Sequence, residues 1–268
     1  MISATTQTNV VIDIGGLPIR LCSEDASFLE MLQERYSGFL TSNGRAHLQF
    51  NVELQPPDAM IGHGDVTVLR EPERWSIGRG DFEAQWSPRM ARGVLRQSVN
   101  PYSLNTALRI IHSLLLVDRG GFLLHASSAV RNGRAFLFAG VSGAGKTTMA
   151  RLAPPDVTLL TDEISYVSPG PCGYQAHGTP FAGDLGRNGE NVRAPLAAVY
   201  LLAKGPKNKV EPVGAAAAAR ALLENVLFFS RDSELVNSVF DVICNFVGRV
   251  PIHRLTFAPD ARVWEMIQ

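Results

Sequence analysis

The eight residues Gly140–Thr147, GVSGAGKT, constrain this chain more than any other stretch. They satisfy G-x-x-x-x-G-K-[ST] without a substitution, between an apolar strand candidate, AFLFA, and a helix start, TTMARL. Glycines let backbone N–H groups turn toward phosphate oxygens, and the following helix N-terminus adds a favourable dipole. The binding candidates are Gly140, Ser142, Gly143, Ala144, Gly145, Lys146, Thr147 and Thr148. Lys146 reaches the β- and γ-phosphates as a point charge, the Thr147 hydroxyl is placed to ligate Mg²⁺, and Thr148 touches an earlier phosphate.

The neighbouring stretches narrow the chemistry. VTLLTDE, Val157–Glu163, is an apolar strand ending in two acids, and Pro154-Pro155 closes the short helix before it. Strand, helix and strand then form a right-handed crossover with parallel strands, which brings Asp162 and Glu163 to the edge carrying the glycine-rich turn. Successive strand residues point oppositely, so one acid should face the phosphates, and Asp162 is the choice. A solvated pair of loop acids is the plainer alternative. Upstream, FLLHASSAV and AFLFAG flank Arg131-Asn132-Gly133-Arg134, and Asn-Gly is a strong two-residue hairpin signal. Pairing Arg131 with Arg134 sets His125 opposite Gly140. A histidine in an apolar strand is ordinarily a core residue; this register moves it to the mouth of the phosphate site.

The region before residue 101 is predicted to be β-rich with one helix. VVIDIG and PIRLC flank Gly15-Gly16 as a hairpin, and SFLEMLQERYSGFL has a helical period. HLQFNVEL, VTVLR, RWSIGR, DFEAQWS and GVLRQSV follow as strands. Tyr102–Val117 is predicted to be a helix burying Leu104, Leu108, Ile111, Leu115 and Leu116, with Ser103 or Asn105 at its start. Basic and acidic residues balance at 25 each, which argues against nucleic acid or anionic lipid as the main partner. Three scattered cysteines fit neither a disulfide framework nor a thiolate zinc site, and imply a reducing, cytoplasmic setting. The N-terminal residues lack a signal-peptide pattern, and ALRIIHSLLLV is too short and too interrupted to span a bilayer.

LLHASSAV, FAGVSGAGKTT, LLTDEISYV and GTPFAGDLG, in that order, resemble the catalytic domain of HPr kinase/phosphorylase. They are closer to the bacterial HPr-kinase-related proteins, some of which accompany peptide natural-product clusters. The resemblance covers roughly Leu116 onward, and it implies the P-loop fold shared with phosphoenolpyruvate carboxykinases. Carried onto these positions, His125 matches the histidine ahead of the loop, and Lys146 and Thr147 match the phosphate and magnesium residues. Asp162 and Glu163 match paired aspartates, the first activating a serine hydroxyl and the others helping with metal; Glu163 departs from the usual second Asp. GTPFAGDLGRNGENVRAPL resembles the substrate-side loop, with Asp184 and Glu190 as further metal candidates and Arg187 and Arg193 as charge stabilisers, although an ordinary mixed-charge loop is an equal reading. The HPr-binding signature is not recognisable.

The expected architecture is therefore α/β, a mixed-sheet P-loop core of HPr kinase and phosphoenolpyruvate carboxykinase type over 101–268, preceded by a β-rich region over 1–100. The expected function is an ATP- and Mg²⁺-dependent kinase, with GTP an alternative nucleotide, acting on a hydroxyl such as serine in a peptide or small protein. Lys146, Asp162 and His125 are the catalytic candidates, and Thr147, Asp162, Glu163 and Asp184 the metal candidates. A nucleotide-hydrolysing switch and a non-catalytic, nucleotide-dependent peptide adaptor are the alternatives. Oligomers are common in the resembling family, so the resemblance leaves a homo-oligomer open, while the residues show no interface signature.

Overall fold

The computed structural model describes residues 8–42, 45–56 and 64–267. The reading of residues 1–7 as lacking a signal pattern lies outside them. The chain divides into two compact units, residues 1–112 with 229–232, and residues 113–228 with 233–268. Both are mixed α/β, each with its own sheet.

In the first unit, β1 (Asn9–Ile14) and β2 (Leu17–Cys22) form the expected hairpin around Gly15-Gly16. Their burial alternates residue by residue, so one face of the sheet is covered. α1 (Ala26–Arg35) starts at Asp25, whose carboxylate accepts the Phe28 N–H at 2.8 Å. The helical period predicted as far as Leu40 breaks at Tyr36 and passes into a short 3₁₀ turn, Ser37–Phe39. β3 (Leu48–Gln55), β4 (Thr67–Arg70), β5 (Trp75–Arg79), β6 (Phe82–Ser87) and β7 (Arg92–Ser98) complete a sheet of order β1-β2-β3-β7-β6-β5-β4. Phe50, Trp75 and Trp86 pack edge-on or tilted across its covered face.

α2 (Pro101–Val117) confirms the predicted helix and corrects its cap. Asn100, not Ser103 or Asn105, accepts the Tyr102 N–H through its side chain at 2.9 Å, and Pro101 takes the first helical position. Ser103 instead donates to Asp81 at 2.8 Å. The expected stripe is also too narrow a description. Leu115 is only half-buried, whereas Ala107, Ile110, His112, Ser113 and Leu114 are buried along with most of the predicted face. The division between units falls within this helix, after His112.

The second unit is built around β8 (Phe122–Arg131), whose two halves have different neighbours. β9 (Arg134–Ala139) returns along Ala126–Arg131 through the Asn132-Gly133 turn, both residues at positive φ as a type I′ turn requires. α3 (Lys146–Arg151) is short and ends before Pro154-Pro155. β10 (Thr158–Thr161) pairs antiparallel with β8, on the edge away from β9. β9 and β10 therefore run in the same direction, as expected, with β8 between them. β11 (Ile164–Gly170) continues along the same edge of β8, pairing with Phe122–His125. β12 (Gly173–His177), β13 (Arg193–Lys204) and β14 (Lys209–Pro212) follow, then α4 (Ala215–Leu223), α5 (Ser233–Val247) and β15 (Ile252–Phe257). α4 stops at Leu223, with Glu224 as its C-cap.

Alternation along β9 shows how this sheet is covered. Ala135, Leu137 and Ala139 join a core with Leu222 of α4 and Ile243 and Phe246 of α5, whereas Phe136 and Phe138 face Met149 of α3 and Trp264. Each large apolar side chain buried in this way contributes about 1.5–3 kcal/mol. Trp264 sits in a 3₁₀ turn, Ala261–Met266; its indole N–H donates to the Met149 carbonyl at 3.1 Å, and its own carbonyl accepts from Arg131 at 2.6 Å. Among the described residues, no helix is long and apolar enough to cross a membrane.

Candidate functional site

The register of β8 explains where the acids go. β10 and β11 occupy one edge of β8, and the offset that pairs Thr161 with Ser128 also pairs Ile164 with His125. Asp162 and Glu163 are the two residues between these segments, set opposite Ser127 and Ala126. They interrupt the ladder, and Thr161 makes the interruption tolerable: its hydroxyl accepts the N–H groups of Glu163 at 3.2 Å and Ile164 at 3.3 Å. On the other edge of β8, Ala126 pairs with Ala139, the last residue of β9. One register step further sets His125 opposite Gly140, the start of the glycine-rich turn, and the His125 N–H donates to the Asn225 carbonyl at 2.8 Å.

The turn itself is stiff. Gly145 has φ +114°, and a Cβ there would come within 2.6 Å of the Phe257 ring, so glycine is required both by conformation and by space. Ser127 donates to the Lys146 carbonyl at 3.2 Å, fixing the first turn of α3 to β8. The Lys146 ammonium folds back and donates to the carbonyls of Gly140 at 2.8 Å and Val141 at 3.3 Å. Burial lowers the Lys146 pKa from its ordinary value, and the nearby Glu163 and Asp184 carboxylates only partly oppose this.

The segment between β12 and β13 is tied down rather than loose. Thr179 and Glu190 donate backbone N–H groups to Leu160 and Leu159 on the outer edge of β10, each at 3.0 Å. The Thr179 hydroxyl also donates to the Ile164 carbonyl at 2.9 Å. This brings Gly183–Leu185 over the acids. Asp162, 5% exposed, accepts the N–H of Gly183 on one carboxylate oxygen and that of Leu185 on the other, both at 2.8 Å. The residue between them, Asp184, lies with its carboxylate 3.2 Å from the Thr147 hydroxyl.

These pieces enclose a polar cavity of about 390 Å³. Ten of the fifteen residues singled out from sequence line it: His125, Ser142, Gly143, Gly145, Lys146, Thr147, Thr148, Asp162, Glu163 and Asp184. Gly140 contributes its carbonyl to Lys146 instead, and Ala144 packs into the core beside Met149 with its N–H donated to Val141. Residues 94–268 match the family described as SynChlorMet cassette protein ScmC. The chain belongs to that family. The segment matched to ScmC holds every residue that lines the cavity. No curated protein matches the chain closely enough to count as a relative.

Two lining residues, Gly183 and Lys204, were not among the sequence candidates. Lys204 ends β13, which runs parallel to β9 with Leu201 beside Ala139, so the strand carries it past the start of the glycine-rich turn. Only the pairing of β13 with β9 would have revealed it. Glu190, Arg187 and Arg193 are not among the cavity's lining residues. Arg193 is no loop residue at all; it opens β13 opposite His177. Burial and the Arg193 charge together lower the His177 pKa to about 4, and its Nε2 sits 2.8 Å from the Ser168 hydroxyl.

Among the described residues, no group of three or more His, Cys, Asp or Glu side chains gathers as a metal site. Each Asp162 carboxylate oxygen accepts one backbone amide N–H. A nucleotide-bound Mg²⁺ needs only one or two protein oxygens beside its phosphates and waters. The Thr147 and Asp184 oxygens, 3.2 Å apart on the cavity wall, fit that smaller requirement.

Proposed function

We propose that this ScmC-family chain is an ATP- and Mg²⁺-dependent phosphotransferase of HPr-kinase-like type, acting on a hydroxyl such as a serine in a peptide or small protein. The observation that carries this reading is the convergence of a G-x-x-x-x-G-K-[ST] turn, three acids and a histidine on one polar cavity. Phosphoryl transfer asks the protein mainly for positioning and charge stabilisation, and these are what such a cavity can supply. The N–H groups of the turn cradle the phosphates, and Lys146 leaves the Gly140 and Val141 carbonyls for the phosphate oxygens. Lys204 adds a second cation on the cavity wall. Thr147 and Asp184 would hold the metal, which when bound offsets phosphate charge. The acceptor hydroxyl attacks the γ-phosphorus, its proton passes to a carboxylate of the acid group, and the nucleoside diphosphate leaves. His125, at the mouth, is placed to contact the γ-phosphate or orient an acid.

The designation of the family as a cassette protein directs the search for an acceptor to peptides encoded with it. Incubating such a peptide with ATP and Mg²⁺ should give a phosphorylated product by mass spectrometry. Lys146→Ala should lower the transfer rate by about 10²–10³-fold or more. Robust hydrolysis without acceptor dependence would indicate a switch, and nucleotide binding without turnover an adaptor; either result overturns the kinase reading.

A further inference from the structure

The acid nearest the start of the pair is committed elsewhere. Each Asp162 oxygen accepts one backbone N–H, from Gly183 and from Leu185, at 2.8 Å. These two donors bracket a single residue, Asp184, and that residue's carboxylate meets the Thr147 hydroxyl at 3.2 Å. A buried carboxylate bridging two amides of one turn fixes the direction of the side chain between them, because charge-assisted bonds are short and directional.

The turn is also seated without slack. A Cβ added at Gly183 would lie 2.8 Å from the Glu163 Cβ and 3.0 Å from an Asp162 carboxylate oxygen. The backbone therefore rests directly on the acid pair, and only glycine permits that approach.

We propose that Asp162 is a positioning residue: it clamps the Gly183–Leu185 turn and thereby presents Asp184, with Thr147, to the metal of a bound Mg²⁺-nucleotide. This rests on the nucleotide-binding part of the reading above. It moves Asp162 away from the chemical step, where the sequence had placed it as the proton acceptor.

Asp162→Asn keeps the shape but leaves one amide N–H facing an NH₂ group. Outer partners of metal ligands typically affect metal affinity by 10–100-fold, so the Mg²⁺ concentration that half-saturates binding of a fluorescent ATP analogue should rise by about that factor. Asp184→Asn should show a similar rise. The double variant should be no worse than Asp184→Asn alone, because Asp162 acts through Asp184. Phosphoryl transfer by Asp162→Asn should recover toward the wild-type rate at saturating Mg²⁺. Gly183→Ala retains every carboxylate and should share the raised Mg²⁺ requirement; it decides the matter alone if circular dichroism shows Asp162→Asn to be unfolded.

An unchanged Mg²⁺ dependence in Asp162→Asn or Gly183→Ala, or fully additive effects in the double variant, overturns the proposal. So does transfer lost at every Mg²⁺ concentration in a folded Asp162→Asn protein. Wild-type protein that binds the Mg²⁺-nucleotide but transfers nothing sinks the kinase reading alone, and the binding measurements still decide the role of Asp162. Wild-type protein that binds no nucleotide overturns both.

Discussion

Asp81 in the first unit and Asp162 in the second are both buried carboxylates, 8% and 5% exposed, and they are held in different ways. Asp81 is met by side chains. Arg79 forks onto both of its oxygens and Ser103 adds a hydroxyl. Burial pushes the Asp81 pKa up, but those hydrogen bonds and the Arg79 charge outweigh it and leave the carboxyl below its ordinary range. Asp162 is met by backbone amides instead, and the nearby Lys146 is met by backbone carbonyls. A countercharge on a side chain neutralises a carboxylate within the protein. Backbone dipoles fix its position without supplying a formal countercharge.

Two hydroxyl deletions test that difference most directly. Thr161→Val removes the acceptor for the Glu163 and Ile164 N–H groups at the break before β11. It should cost about 1–3 kcal/mol in denaturant unfolding and also weaken Mg²⁺-nucleotide binding, because the acids move with the break. Ser103→Ala should cost about 1–2 kcal/mol through Asp81 and leave nucleotide binding unchanged. If the two variants had the same binding profile, the contrast would collapse.

Acid should then show where the two units behave alike. Burial, with a smaller push from His47, lowers the His112 pKa to about 3, and burial with Arg193 lowers that of His177 to about 4, from an unfolded value of 6.5. Both are neutral in the folded state, so the unfolded chain binds more protons below pH 6.5 and stability falls as pH drops. Each histidine should account for about 1 kcal/mol between pH 7.5 and 5.5. The loss attributed to His177 should be complete near pH 4 and that to His112 near pH 3. His177→Gln should flatten its share of the pH dependence in urea titrations; an unaltered slope would remove His177 from this account.

The smallest effect belongs to the exposed Arg96–Glu53 pair at 2.7 Å on the first sheet. Arg96→Ala should change stability by about 0.5 kcal/mol or less and lose even that in high salt. A larger, salt-resistant change would mean that side-chain ion pairs matter there even at the surface.

How much of this was legible depended on the range of the interaction concerned. The His125–Gly140 register follows from four consecutive residues, because an Asn-Gly turn fixes its own pairing. The parallel sense of β9 and β10 also follows from the short helix between them. The insertion of β8 between those strands does not, since nothing local records which edge a strand joins. The cap at Asn100 was within reach, because Pro101 marks the first helical residue; Ser103, also a good cap by residue type, is used by Asp81, 22 positions away. The contacts of Asp162 had no local signal. Its partners are backbone amides 21 and 23 residues later, and an amide has no residue type to recognise. Lys204 escaped for the related reason that β13 lies next to β9 only in three dimensions.

The tie between Trp264 and Met149 spans 115 positions, and it bears on how the protein is made. α3 is only six residues long, too short to persist on its own in water. One of its carbonyls, that of Met149, accepts the indole N–H of a turn synthesised more than a hundred residues afterwards, and Trp264 of that turn shares its apolar core. On the ribosome, then, the glycine-rich turn emerges well before the support that makes it rigid. A nascent chain carrying the whole motif still lacks that packing, which is completed only late in translation, after β15 and the turn that follows it have left the exit tunnel.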